Sequence, residues 1–209
     1  MTCTTVSSYC VDMDHTPERK RRDRALRERA GGQGGYFTSA QARACGYSAD
    51  EMADAVVAGA WLQSDPGLFR LTTWRTGDFD EVARCCVRLD GAVVSHQSAA
   101  ELHGLGHLHP SFLHVTAPDD GHARLDRVAV HHCDLAAGDT EHAGAFLITT
   151  PLRTVLDLAD GGVSQWVLDE VVGDALAIDR LDREELEVGS DRCPTRVRQR
   201  VRRALSAWA

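Results

Sequence analysis

Lysine, paired cysteines and unbroken apolar stretches are what this sequence is short of. Lys20 is its only lysine. A nuclease reading of Asp157 and Asp160, in "RTVLDLAD", needs a lysine on a neighbouring strand, and the sequence has none to supply it. The seven cysteines (Cys3, Cys10, Cys45, Cys85, Cys86, Cys133 and Cys193) contain no C-x-x-C pair. Zinc-ligand spacing is therefore missing, and free, mostly buried thiols are expected. Apolar runs such as Ala53 to Leu62 are broken by Asp or Gly, so no membrane span fits. The first sixteen residues lack the basic start and apolar centre of a signal peptide. The expectation is a cytoplasmic chain with a disordered leader at 1–16. No G-x-S-x-G, H-E-x-x-H or kinase-type set occurs, and "GGQGG" at 31–35 lacks the Lys-Ser/Thr end of a P-loop. Neither an enzyme nor a cofactor is expected.

What is present is a 209-residue chain with 43% apolar and 26% charged residues, enough for one ordinary domain or two small ones with a real core. The net charge of −8 is unevenly placed. Residues 17–30 sum to +4, residues 192–203 to +6 and the first sixteen to −2, which leaves 31–191 at −16. An acidic body with two basic ends can attach to nucleic acid or to an acidic partner surface, or its basic ends can be solvated helix faces.

Along the chain, a helix is expected from Thr16 to Ala30, ended by "GGQGG". Thr38 with Gln41, and Ser48 with Glu51, have capping-box spacing and start two short helices across Gly46. "WLQSDPGLFRLT", 61–72, reads as a β-hairpin around "SDPG". Helix, helix-turn-helix, hairpin is the order of a winged helix, expected over 17–76. A mixed α/β unit is expected over 77–209. Its helix in "FDEVARCCVRL" turns Phe79, Val82, Cys86 and Leu89 inward, and Ser95 is expected to cap a short helix. Strands are expected at 112–117, 127–132 and 145–149, with a polar loop between the first two. A helix starts at Thr150-Pro151, and further helices cover Val163 to Ala177, Asp182 to Val188 and Thr195 to Ala207. The fold class is α+β.

The blocks "GGYFTSAQARACGYSADEMADAVVAGAWLQSDPGLFRL", "VVSHQSAAELHGL", "LHVTAP", "VAVHHCDL" and "FLITTPLRTVLDLA" resemble the AbiEi family of antitoxins from bacterial type IV toxin–antitoxin pairs, in its actinobacterial form. The likeness runs over roughly residues 20 to 180, and "TTPLRTVLDLA" is its most specific part. It implies a winged-helix N-terminal domain, an α/β C-terminal domain and two partners: the operator DNA of its own operon and a cognate nucleotidyltransferase toxin.

The resemblance also implies arginines on the second helix and wing, where this sequence has Asp50, Glu51, Asp54 and Asp65. Acids near phosphates cost electrostatic energy, and residues 48–60 contain no Arg, Lys, Asn or Gln to read a base edge. DNA contact is therefore expected from Arg19, Lys20, Arg21, Arg22, Arg24 and Arg43, with Gln63 and Arg70 in the wing. Arg196, Arg198, Arg200, Arg202 and Arg203 are expected either to clamp a toxin or to pair with the chain's own acidic body. The C-terminal unit is expected to handle the toxin or a homodimer. The alternative is an antitoxin that acts by protein contact alone, its winged helix reading no DNA.

The ten histidines include "HGLGHLH" at 103–109 and a pair at 131–132. Gly104 and Gly106 argue against a rigid i, i+4 ligand pair, so no metal is expected, and His96 reads as a packing or capping residue. Asp157 is expected to pair with Arg153, four residues earlier on the same helix face.

Overall fold

The computed structural model describes residues 17–117 and 125–208. The leader at 1–16, with Cys3 and Cys10, and most of the polar loop at 118–126 lie outside the described residues.

The chain begins with α1 (Pro17–Gly31), which buries only Leu26 and Ala30 fully. Both capping boxes form. Thr38 Oγ1 accepts from the amide of Gln41 at 3.1 Å and starts α2 (Ser39–Ala44). Ser48 Oγ accepts from the amide of Glu51 at 3.2 Å and starts α3 (Ala49–Val57). Between them Gly46 takes the left-handed conformation, φ +95°. Strand β1 (Tyr36–Thr38) is too short for sequence periodicity to announce. It pairs with β3 (Leu68–Leu71), which also pairs with β2 (Trp61–Asp65), giving an antiparallel sheet in the order β1-β3-β2.

Alternation gives this small sheet two buried faces. Phe37, Trp61, Phe69 and Leu71 face the helices and join Leu26, Ala42 and Met52 in one core. Phe37 meets Trp61 edge-on at 4.8 Å, a favoured aromatic geometry. Tyr36, Leu68 and Arg70 lie on the other face, against α4 (Asp80–Arg88). Tyr36 and Leu68 share a second core with Ala83, Cys86, Val87 and Phe146. Tyr36 Oη donates to Asp80 Oδ2 at 2.7 Å, and Arg84 bonds Asp65 at 2.5 Å. Apolar packing thus runs continuously across residue 76. Phe79, expected inward on α4, sits at its N-cap and is 51% exposed, while Ala83, Cys85 and Val87 turn in instead.

The rest of the chain builds a five-stranded sheet in the order β6-β5-β4-β8-β7. These strands are β4 (Val93–Val94), β5 (Leu113–Thr116), β6 (Val128–His131), β7 (Thr140–His142) and β8 (Leu147–Thr149). β4 is central, antiparallel to β5 and parallel to β8; β5 and β6 run parallel. Five helices follow or interleave: α5 (His96–His103), α6 (Pro151–Asp160), α7 (Gln165–Ala177), α8 (Arg183–Asp191) and α9 (Thr195–Ala207). α9 buries Val197, Val201, Ala204 and Leu205 in the largest core cluster, beside Val155, Leu158, Leu168 and Val171. The fold is α+β. No described helix is long and apolar enough to cross a membrane.

Candidate functional site

The exposed side of α3 is the stripe Asp50, Ala53, Asp54 and Val57, at i, i+3, i+4 and i+7. Glu51 turns away from it. Its Oε1 accepts from Arg22 Nη2 at 2.8 Å, while Arg22 Nη1 donates to the carbonyl of Gly46 at 2.8 Å. The Arg22 guanidinium also lies over the Tyr47 ring, 4.8 Å from its centroid. Arg22's hydrogen bond, helped by the Ser48 amide, pulls the Glu51 carboxyl down to about 2. Arg22 therefore fastens α1 to the start of α3 and has its charge answered there. It does not project with the other cations of α1.

Those others divide by helix face. Arg19 and Arg27 line a cleft between α1 and α3 together with Asp23 and Asp54. Lys20, Arg21 and Arg24 are exposed, with Arg21 and Arg24 opposite Leu26 and Ala30 and Lys20 on the flank. Arg24 pairs with Glu28 at 2.7 Å, both well exposed, a contact worth little in water. Arg43 on α2 and Gln63 on β2 are both exposed and stand on two walls of a second groove, beside α3.

Arg70 does not belong with them. The register sets it opposite Tyr36, on the sheet face toward α4. There its side chain is 11% exposed and 3.3 Å from Asp80, donates to the carbonyl of Trp74 at 3.1 Å and packs over the Tyr36 ring. Strand parity removes it from the outward surface of the β2–β3 hairpin.

The C-terminal arginines are likewise used largely within the fold. Arg196 Nη2 donates to Asp160 Oδ1 at 2.8 Å and to its carbonyl. Arg200 donates to the carbonyls of Ala159, at 2.7 Å, and Val163. The bonds to Ala159 and Asp160 satisfy orphan carbonyls at the end of α6, where a cation also meets the negative pole of the helix dipole, and the bond to Val163 holds the turn that follows. Arg202 pairs with Asp191 at 3.1 Å. Arg198 and Arg203 are left without an ion pair among the described residues. Of the two expected roles, pairing with the chain's own acidic body describes Arg196 and Arg202.

One polar cluster has no counterpart in the sequence reading. His96 opens α5 with a left-handed φ of +51°, rare for a residue with a side chain. The residue is 8% exposed, and its ring stacks on that of His131, centroids 3.5 Å apart and 12° from parallel. His131 Nε2 is 2.9 Å from His114 Nδ1. Thr116 Oγ1 donates to Ser95 Oγ, and Ser95 Oγ lies 3.0 Å from His96 Nδ1. Burial, and then the neighbouring imidazoles, push His96 down to about 3 and His131 to about 4. Ser95 is fully buried.

Arg153 borders this cluster. Its Nε donates to Asp157 Oδ1 at 2.7 Å, its Nη1 to Asp139 at 2.8 Å, and its Nη2 approaches Cys133 Sγ at 3.0 Å. The expected Arg153–Asp157 pair is present, and Arg153 also clamps the segment after β6 onto α6. Burial raises the Asp157 carboxyl against the pull of Arg153, and its Oδ2 has no hydrogen-bond partner. The histidines of "HGLGHLH" diverge. His103 meets the Thr149 carbonyl at 2.7 Å, His107 pairs with Glu170 at 2.7 Å, and His109 with Glu101 at 3.1 Å. Among the described residues no group of three or more His, Cys, Asp or Glu is placed to hold a metal ion.

Ser95 and His96, His114 and Thr116, His131, and Arg153 and Asp157 come from four separate sequence blocks that the sheet and α6 gather at one place. A sequence profile described as the AbiEi antitoxin C-terminal domain matches residues 92–207, all four blocks included and more than half the chain. The chain belongs to the AbiEi antitoxin family. Its fold is similar to that in the crystal structure of the RV2827C protein from Mycobacterium tuberculosis, with a TM-score of 0.52 and 15% identity over 92% of this chain and 77% of that one. At that identity the likeness is one of fold. No curated protein matches the chain.

Proposed function

We propose that this antitoxin binds the DNA of its own operon through residues 17–76, a winged helix, and counters a nucleotidyltransferase toxin through residues 77–209. The observation that carries the DNA role is the outward face of α1, where Lys20, Arg21 and Arg24 stand clear of the core. Cations so placed release counterions from phosphates and position a protein on a duplex without specifying sequence. A second reading, an antitoxin acting by protein contact alone, is favoured by the stripe Asp50, Ala53, Asp54 and Val57 on α3, which offers no side-chain donor to a base edge.

Titrating salt against binding to the DNA upstream of the gene separates the two. Log affinity is expected to fall linearly with log salt, and Lys20→Ala with Arg21→Ala to flatten the slope by about two. Arg22→Ala is the control, expected to change stability more than slope because Arg22 already holds Glu51. Absence of any DNA complex at low salt, with a nucleotidyltransferase still co-purifying, would leave the protein-contact reading standing.

A further inference from the structure

We propose that the cleft between α1 and α3 binds a free amino acid with a large apolar side chain. The cleft holds about 390 Å³, a volume in the range of small-molecule sites. Three guanidinium groups on α1, of Arg19, Arg22 and Arg27, line it together with three carboxylates, Asp23 on α1 and Glu51 and Asp54 on α3. Its walls therefore carry no net charge. Leu26, Trp61 and Leu71 supply an apolar floor.

Several of these charges are already answered. Arg22 holds Glu51 at 2.8 Å, and Asp23 accepts from Tyr47 Oη at 2.5 Å. Arg27 and Asp54 are exposed, and neither has an ion pair or a side-chain hydrogen bond among the described residues. One cation and one anion thus stand unanswered on opposite walls above an apolar floor. A ligand that suits all three surfaces brings a carboxylate to Arg27, an ammonium to Asp54 and a hydrocarbon body to Trp61 and Leu71. Other occupants fail on one of them. A phosphate would meet Asp54 with like charge, and a basic peptide would meet Arg27. A wholly apolar molecule would cover both charges without pairing either. A metal ion would find Asp54 alone, because the other two carboxylates are held by Arg22 and Tyr47. The inference does not rest on DNA binding, because Lys20, Arg21 and Arg24 do not line the cleft.

Calorimetric titration of the full chain, without DNA, with leucine, phenylalanine and tryptophan tests this. Saturable binding of at least one of the three is expected, with a rise in melting temperature as the ligand is added. Glycine leaves the floor uncovered and should bind about tenfold more weakly or worse. Phenylpropanoate and phenethylamine, which are phenylalanine without its ammonium or its carboxylate, should lose a similar factor. Arg27→Ala and Asp54→Ala should each weaken binding about tenfold or more. Both should leave the melting temperature of the free protein unchanged, since these side chains are exposed and unpaired. No binding of any of the three at millimolar concentration would overturn the proposal. So would affinity indifferent to either variant, or glycine or a singly charged analogue that binds as well as the amino acid.

Discussion

Protonating His96 would set a positive charge among two further imidazoles and near Arg153, in a place where little water reaches. The folded protein resists this, while the unfolded chain does not. Histidines take up protons near pH 6.5 when unfolded, but His96 and His131 do so only near 3 and 4 when folded. Unfolding therefore absorbs protons between those limits. The contribution is fully present above about pH 6.5 and is lost as pH falls toward 4, by up to about 1.4 kcal/mol per pH unit for each histidine. Urea midpoints at pH 7.5, 6 and 5 should fall in that order, and His131→Asn should flatten the trend. An even profile would mean that the rings charge in place. Residue chemistry was legible in the sequence where partners share one element. Arg153 and Asp157 are four apart on a helix, and geometry alone joins them. The histidine stack was not legible. His114 and His131 meet only because β5 and β6 run parallel with His114 opposite Ala129, and no local pattern fixes that register.

At the scale of elements, helices whose two ends carry their own signals were readable. Thr38, Ser48 and Thr150 all cap as expected, and α9 spans Thr195–Ala207 as expected, whereas Ser95 stands at the N-cap of α5 without a side-chain capping bond, its hydroxyl engaged with Thr116. Three of the four strands of two or three residues, β1, β4 and β7, were not, because alternation needs more positions to show, whereas β8 falls in the expected apolar run at 145–149. Arg70 illustrates the cost. Without β1 the face it occupies could not be assigned, and its side chain was expected on the DNA side of the hairpin. Helix α9 shows a different limit, since a run of arginines reads as a surface whichever way the helix turns. Arg200 reaches the end of α6 and the turn after it, whereas Arg203 is exposed. Arg200→Ala should accordingly lower the melting temperature, by about 1–3 kcal/mol of stability for the bonds lost. Arg203→Ala should leave it within about 0.5 kcal/mol. Thermal unfolding by circular dichroism distinguishes them, and equal effects would contradict the α6-capping role of Arg200.

For the whole molecule, the decisive feature is the small sheet with both faces covered. Tyr36 is 3% exposed and Leu68 1%, and the surface they bury against belongs to α4 and the larger sheet. Residues 17–76 produced alone should therefore be unstable and bind a hydrophobic dye, while the full chain should unfold in one transition by both tryptophan fluorescence and far-ultraviolet dichroism. Two separate transitions would show that the core does not act across residue 76. Modularity is the larger matter. A head that shares its core with the body cannot be traded between related antitoxins by recombination at the linker alone. A transplant that keeps its fold must carry α4 with it, so the two halves can be reshuffled only through crossovers placed after Arg88.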